Sequence, residues 1–434
     1  MKKLFIVIVI LASLRLTRAF ALPVSYDLRD YGRVTSIKNQ GIPGPCWSFA
    51  AITALESNYL TQKLNTNGKE PDLSELQIAY YCYKDPNPER NFNSKRTSGL
   101  LSLEGNIFMP VAFMARLSGP TDERFLQYKT NLSNSERAAL SKKAPESYKR
   151  SMRLREAYYL SGNSTLNSDS LKELIMKHGA AAVSLYSDLN SYHVKGKYYT
   201  YYQPDKGTQI NHLVAIAGWD DNFSRDNFTP KPKRDGAWLV KNSWGTLRGT
   251  NGGYFWMSYD QHFYGGAVLI ADPNNNLRLK HYGYDDLGWC SNISYSWGAN
   301  IFRTETNKER LKEVAFYTPS NNCSYEVYVY DLGNNKLKSP TAGKLLTSKQ
   351  GKIEYAGYHT INLDESFTLN KDQHFSIVLK LSGSRQPVEN VNKDYSENAV
   401  CHAGESYFSN DGKTWIDGIN FKCNTCIKAF TLTR

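Results

Sequence analysis

Gln40-Gly41-Ile42-Pro43-Gly44-Pro45-Cys46-Trp47-Ser48-Phe49-Ala50 is a glycine- and proline-rich loop that runs straight into a helical pattern, with a cysteine where the two meet. Apolar residues recur at helical spacing from Trp47 to Lys63, so the spacing predicts a helix over 47–63 with Cys46 at its start. Amide dipoles at a helix N-terminus favour the thiolate, the nucleophilic form of cysteine. Free N–H groups there also suit a developing oxyanion. Position alone, however, fits a buried structural or disulfide-bonded cysteine as well.

A reactive thiol needs a proton acceptor and a cation beside it, and histidine serves both needs. Of the eight histidines, His212 is the best placed. It opens the apolar strand pattern His212–Trp219, which fixes the backbone while the first side chain points into a cleft. A third group should hold the imidazole. In Trp238-Leu239-Val240-Lys241-Asn242-Ser243-Trp244-Gly245, strand alternation puts Trp238, Val240 and Asn242 on one face. The Asn242 amide oxygen accepts the second imidazole N–H without adding a charge.

In these three segments the chain closely resembles the papain family of cysteine peptidases. The nucleophile motif matches Gln40–Ala50, the histidine motif Asn211-His212-Leu213-Val214 through Trp219, and the third motif Lys241–Gly245, in the family's order. The resemblance covers about 22–265 and implies a two-lobed fold, one lobe helical and one β-rich, with a cleft between them. It implies that Cys46 attacks the carbonyl, that His212 carries the proton to the leaving amine, and that Asn242 orients His212. The Gln40 side chain and the Cys46 N–H form the implied oxyanion hole, and Trp244 the indole that shields the His–Asn hydrogen bond. Glu104-Gly105-Asn106 is the counterpart of the family's Gly-Gly substrate shelf, which makes Gly105 a substrate-binding candidate.

The chain departs from the family pattern in several places. Pro43 replaces the usual cysteine three before the nucleophile, and Cys82 lacks an evident partner. An insertion, Lys84–Leu101, precedes the shelf. Leu22–Arg29 already matches the start of a mature enzyme, so no inhibitory propeptide is expected.

Beyond the turn-rich Ala267–Asn276 the pattern changes to short strands, Tyr325–Tyr330, Tyr358–Leu363 and His374–Leu381, separated by Gly/Asn/Asp/Ser turns. Stretches such as Tyr284–Trp289, Trp297–Phe302 and Gly404–Ser409 resemble the lectin-like domain that follows papain-like domains in some bacterial and archaeal exported peptidases. The expected fold class is α+β: a papain-like domain over 22–268, then an all-β sandwich over 277–434. Glu136–Arg155, polar and basic, reads as a solvated helix or loop.

The N-terminus reads as an export signal, 1–21. Lys2 and Lys3 precede the apolar run Leu4–Leu14, and small residues stand at Ala19 and Ala21. The apolar run is too short for a permanent span, so no transmembrane anchor is expected after cleavage. Secretion or a cell-surface location follows. The net charge is +12, and loss of Lys2, Lys3, Arg15 and Arg18 leaves about +8. No basic run is interleaved with aromatics in a nucleic-acid pattern. Seven cysteines suit an exported chain with one free thiol and three disulfides. The Cys423/Cys426 pair has no second ligand pair nearby, and no metal or cofactor is expected. Expected partners are protein or peptide substrates, with cell-surface glycans as a candidate for the second domain. The alternative is an inactive papain-like scaffold acting as an adhesion or carbohydrate-binding protein. All four catalytic positions being filled argues against it.

Overall fold

The computed structural model describes residues 21–433 except 42–43, 65–67, 84–103, 143–149, 163–167, 206–208, 247–251, 276–277, 335–338, 384 and 393–395. The expected signal, apart from Ala21, and the insertion over 84–101 lie outside the described residues.

The central helix is Cys46–Thr61, and every residue from Cys46 to Asn58 is buried. A helix covered on all sides must satisfy its polar groups inside the protein. Asn58 Nδ2 donates to the His178 carbonyl at 2.8 Å, and its Oδ1 accepts from Ala271 N at 2.8 Å. Ser57 Oγ donates to the Arg33 carbonyl at 2.6 Å. Helices Glu75–Tyr81 and Phe108–Ala115 pack beside it. Ser74 caps helix Glu75–Tyr81, its Oγ accepting from Gln77 N at 3.1 Å. The Gln77 side chain is engaged elsewhere, its Oε1 accepting from Thr121 N at 2.7 Å. Helix Ser168–His178 ends at Gly179, whose φ is 95°.

Strands Ala181–Leu185, His212–Asp220 and Ala237–Lys241 lie side by side in the sheet of the β-rich lobe. Leu185 stands opposite His212, and Ala215 opposite Lys241. That register places the end of the Ala237–Lys241 strand near the start of the His212 strand, and so Asn242 near His212.

The same sheet continues into the second domain. Gly357 and Tyr358, at the start of strand Gly357–Leu369, pair with Tyr158 and Ala157 of strand Leu154–Ser161. At Gly357 a side chain would collide with the Ala157 carbonyl oxygen, 1.9 Å from the position a Cβ would take. The second domain is a sandwich. Strands Leu279–Tyr282, Ile427–Leu432, Glu309–Thr318 and Gly357–Leu369 form one layer. A six-stranded sheet forms the other, with Phe302, Val314, Phe316, Val329 and Phe375 in the core between them.

Two expectations need correction. The far end of Glu136–Arg155 is not solvated: Met152, Arg153 and Leu154 are buried. The arginine charge is matched there, Arg153 Nη1 lying 2.7 Å from Asp272 and Nη2 2.6 Å from Glu313 of the second domain. The cysteines form no disulfides, and all seven are free thiols. Several sulfurs engage backbone groups instead: Cys82 Sγ with the Met109 carbonyl, Cys290 Sγ with the Gly288 carbonyl.

Candidate active site

Cys46 is the first residue of its helix, and its side chain is almost wholly buried. Leu213 N, the amide next to His212, donates to Cys46 Sγ at 3.4 Å, so the sulfur lies against the start of the histidine strand. Burial pushes the thiol up from its ordinary range, while the N–H groups of Leu213 and Trp47 pull the other way.

His212 is buried, and its Nε2 lies 2.9 Å from Asn242 Oδ1. That oxygen also accepts from Ser243 N at 2.9 Å, which fixes the amide's orientation. An amide oxygen only accepts, so Nε2 carries the proton and Nδ1 is left as the basic nitrogen. Burial brings the imidazole down to about 4, with the Asn242 hydrogen bond opposing the shift. The Trp244 indole stacks on the His212 ring at 4.8 Å and 20°. It covers the histidine from one side, where the resemblance put a shielding ring.

Gln40 is held firmly. Its Oε1 accepts from Ser243 Oγ at 2.5 Å, and its backbone N–H donates to the Ser243 carbonyl at 2.8 Å. Its Nε2 and the Cys46 N–H converge on one oxygen, the Gly44 carbonyl, at 3.3 and 3.0 Å. Two donors aimed at a single acceptor beside a thiol can hold an oxyanion once that carbonyl yields its place. Gly105 lies flat on Trp47, and a Cβ there would stand 2.4 Å from the indole. All six residues expected from sequence line one cleft of about 690 Å³ except Asn242, which lies behind His212.

A model of the papain family cysteine proteases matches residues 22–272, more than half of the chain. The chain belongs to the papain family. A lectin-like domain model matches residues 281–431. Among curated papain-family relatives are a probable cysteine protease of Arabidopsis thaliana, 28% identical over 54% of this chain and 57% of that one, and ananain of Ananas comosus, 26% identical over 58% and 61%. The chain thus spans less than two thirds of those relatives. The crystal structure of the cysteine protease and lectin-like domains of Cwp84, a surface layer associated protein of Clostridium difficile, matches 96% of this chain and 90% of its own. Its TM-score is 0.78 at 25% identity. A structure of clostridial Cwp84 after propeptide cleavage matches 94% and 99%, again with a TM-score of 0.78, at 26% identity.

Around the papain-family motifs the structure adds residues that sequence reasoning passed over. Lys241, buried directly before Asn242, donates to Thr35 Oγ1 at 3.1 Å. Thr35 donates in turn to Glu56 Oε2 at 2.7 Å, and Glu56 Oε1 accepts from Leu73 N. This chain ties the Asn242 strand to the Cys46 helix. Burial raises the Glu56 carboxyl to about 7, against the pull of Lys241. The lysine before Asn242 and a lone acid inside an apolar helix were the visible signals. At the end of the histidine strand Asp221 pairs with buried Lys172 at 2.6 Å. Among the described residues no helix is long and apolar enough to cross a membrane.

Proposed function

We propose that this protein is an exported cysteine peptidase that hydrolyses peptide bonds through Cys46, His212 and Asn242. The reading is carried by one observation: His212 Nε2 is fixed on Asn242 Oδ1, while the free Cys46 thiol lies against the same strand start in an open cleft.

His212 Nδ1 takes the proton of Cys46, and the sulfur attacks the substrate carbonyl. Gln40 Nε2 and the Cys46 N–H hold the resulting oxyanion in place of the Gly44 oxygen. As the tetrahedral adduct collapses, His212 gives its proton to the leaving amine, and a thioester to Cys46 remains. Water then attacks the thioester with His212 as base, releasing the acid and restoring the thiol. Trp244 keeps solvent off one face of the imidazole throughout. Gly105 offers flat backbone to an extended substrate.

The match over nearly the full chain to a surface layer associated protein supports work outside the cell or at its surface. The lectin-like match makes surface glycans a candidate partner of the second domain. The test is hydrolysis of a peptide library by the purified full chain. Cys46→Ala is expected to lose activity by at least about 10⁴-fold with its melting temperature intact. Unchanged hydrolysis in that variant would end the reading.

A further inference from the structure

The wall of the cleft on the helical side is built from two aromatic rings, Phe108 and Tyr159, whose centroids are 4.7 Å apart. Phe108 opens helix Phe108–Ala115 and is 38% exposed, so its outer side has no packing to hold it. What fixes the pair lies behind them, on the second domain. The Trp289 ring lies 5.7 Å from Tyr159 and 6.4 Å from Phe108. It is backed in turn by Tyr317, at 6.2 Å, on strand Glu309–Thr318. The loop carrying Trp289 is anchored on the same helix, since Arg116 donates to the Asp286 carbonyl. Trp289 does not line the cleft itself.

We propose that Trp289 is a specificity-determining positioning residue: the second domain sets side-chain selectivity by holding Phe108 and Tyr159 against the cleft. Leu160, Tyr264 and Gly265 line the same cleft. A space between aromatic and aliphatic walls takes a bulky apolar substrate side chain, and its fit depends on both rings staying put. Without Trp289 a void opens behind Tyr159, the rings fall back, and the pocket loses its grip on large side chains. The lectin-like domain is thereby part of the substrate site although it contributes no residue to its surface. The inference rests on the peptidase reading.

The experiment compares full-length wild type, Trp289→Ala, Trp289→Leu and Trp289→Phe on peptides that vary only in the side chain entering this pocket. Trp289→Ala is expected to raise KM for peptides with Phe or Leu there by about tenfold, with little change for Ala, so the preference collapses. Trp289→Phe should restore most of it. Alkylation of Cys46 by iodoacetamide, which does not use the pocket, should stay within about twofold of wild type in every variant. Should Trp289→Ala fail to fold, the Leu variant carries the same expectation. An unchanged selectivity profile in a folded variant, or an equal loss for all peptides, overturns the proposal. Absence of any hydrolysis by wild type would instead overturn the peptidase reading.

Discussion

Two boundaries divide this molecule, and they are built in opposite ways. Between the two lobes of the peptidase runs a cleft, where separate apolar cores stop short and Cys46 and His212 line one opening. Between the peptidase and the second domain there is no such gap. Backbone pairing continues from Tyr158 to Gly357, and Arg153 bridges Asp272 and Glu313. One apolar cluster holds Cys46, Trp47 and Leu55 together with Ala315, Tyr317, Tyr358 and Phe430. The boundary that looks like a domain junction in the sequence is the tighter one. The boundary inside a single domain is the one left open, as the proposed chemistry requires.

If the seam is structural, breaking it should cost the fold. Deletion of 277–434 removes one of the two partners of strand Leu154–Ser161, leaving only Phe263–Ala271 beside it, and uncovers Arg153. The truncated chain is expected to lose its cooperative thermal transition and to aggregate. A truncated chain that melts sharply and cleaves short peptides would show that the peptidase needs no such seam. A smaller cut sharpens the point. Arg153→Met leaves Asp272 buried without its main counter-charge, and removing one partner of a buried pair costs about 3–5 kcal/mol. Urea unfolding reads this directly. The change should leave kcat within a few-fold, since Arg153 does not line the cleft.

Across the cleft the expectation reverses. Gln40→Ala should lower kcat by about 10²–10³-fold, through loss of one oxyanion donor. Its stability cost should be only about 1 kcal/mol, for the Ser243 hydroxyl left without its acceptor. Steady-state kinetics beside a denaturation curve separates the two effects. A variant that loses stability in proportion to activity would blur the contrast.

The cleft was far more legible in the sequence than the seam, and the reason is physical. Cys46, His212, Asn242 and Gln40 stand in short stretches that match the papain-family motifs. The helix and strand patterns around them follow from local periodicity, which a sequence displays. The seam depends on contacts between residues far apart in the chain. A basic segment ending in Arg153 reads as solvated until Asp272 and Glu313 are seen beside it. Tyr159 and Trp289 look like ordinary core aromatics until the turn at Asp285–Gly288 brings one onto the other. The disulfides failed for a related reason: cysteine number and export context speak of compartment, whereas pairing depends on where each sulfur lies.

The smallest effect concerns protons. Burial holds His212 down to about 4 and pushes Cys46 up, so the resting cleft favours a neutral imidazole beside a neutral thiol. In the proposed mechanism one proton passes between the two groups, so kcat/KM should follow a bell in pH. Its acid limb should fall where His212 becomes protonated, well below the imidazole's usual range, because a buried ring resists charge. The Asn242 hydrogen bond favours the charged ring. Asn242→Ala should therefore move the acid limb lower still and cost about tenfold in kcat, the worth of one net hydrogen bond. A pH–rate profile of the variant against wild type measures both at once. An acid limb that moved upward would mean that solvent, not the protein interior, governs the imidazole once Asn242 is gone, and that the cleft is wetter than its packing implies.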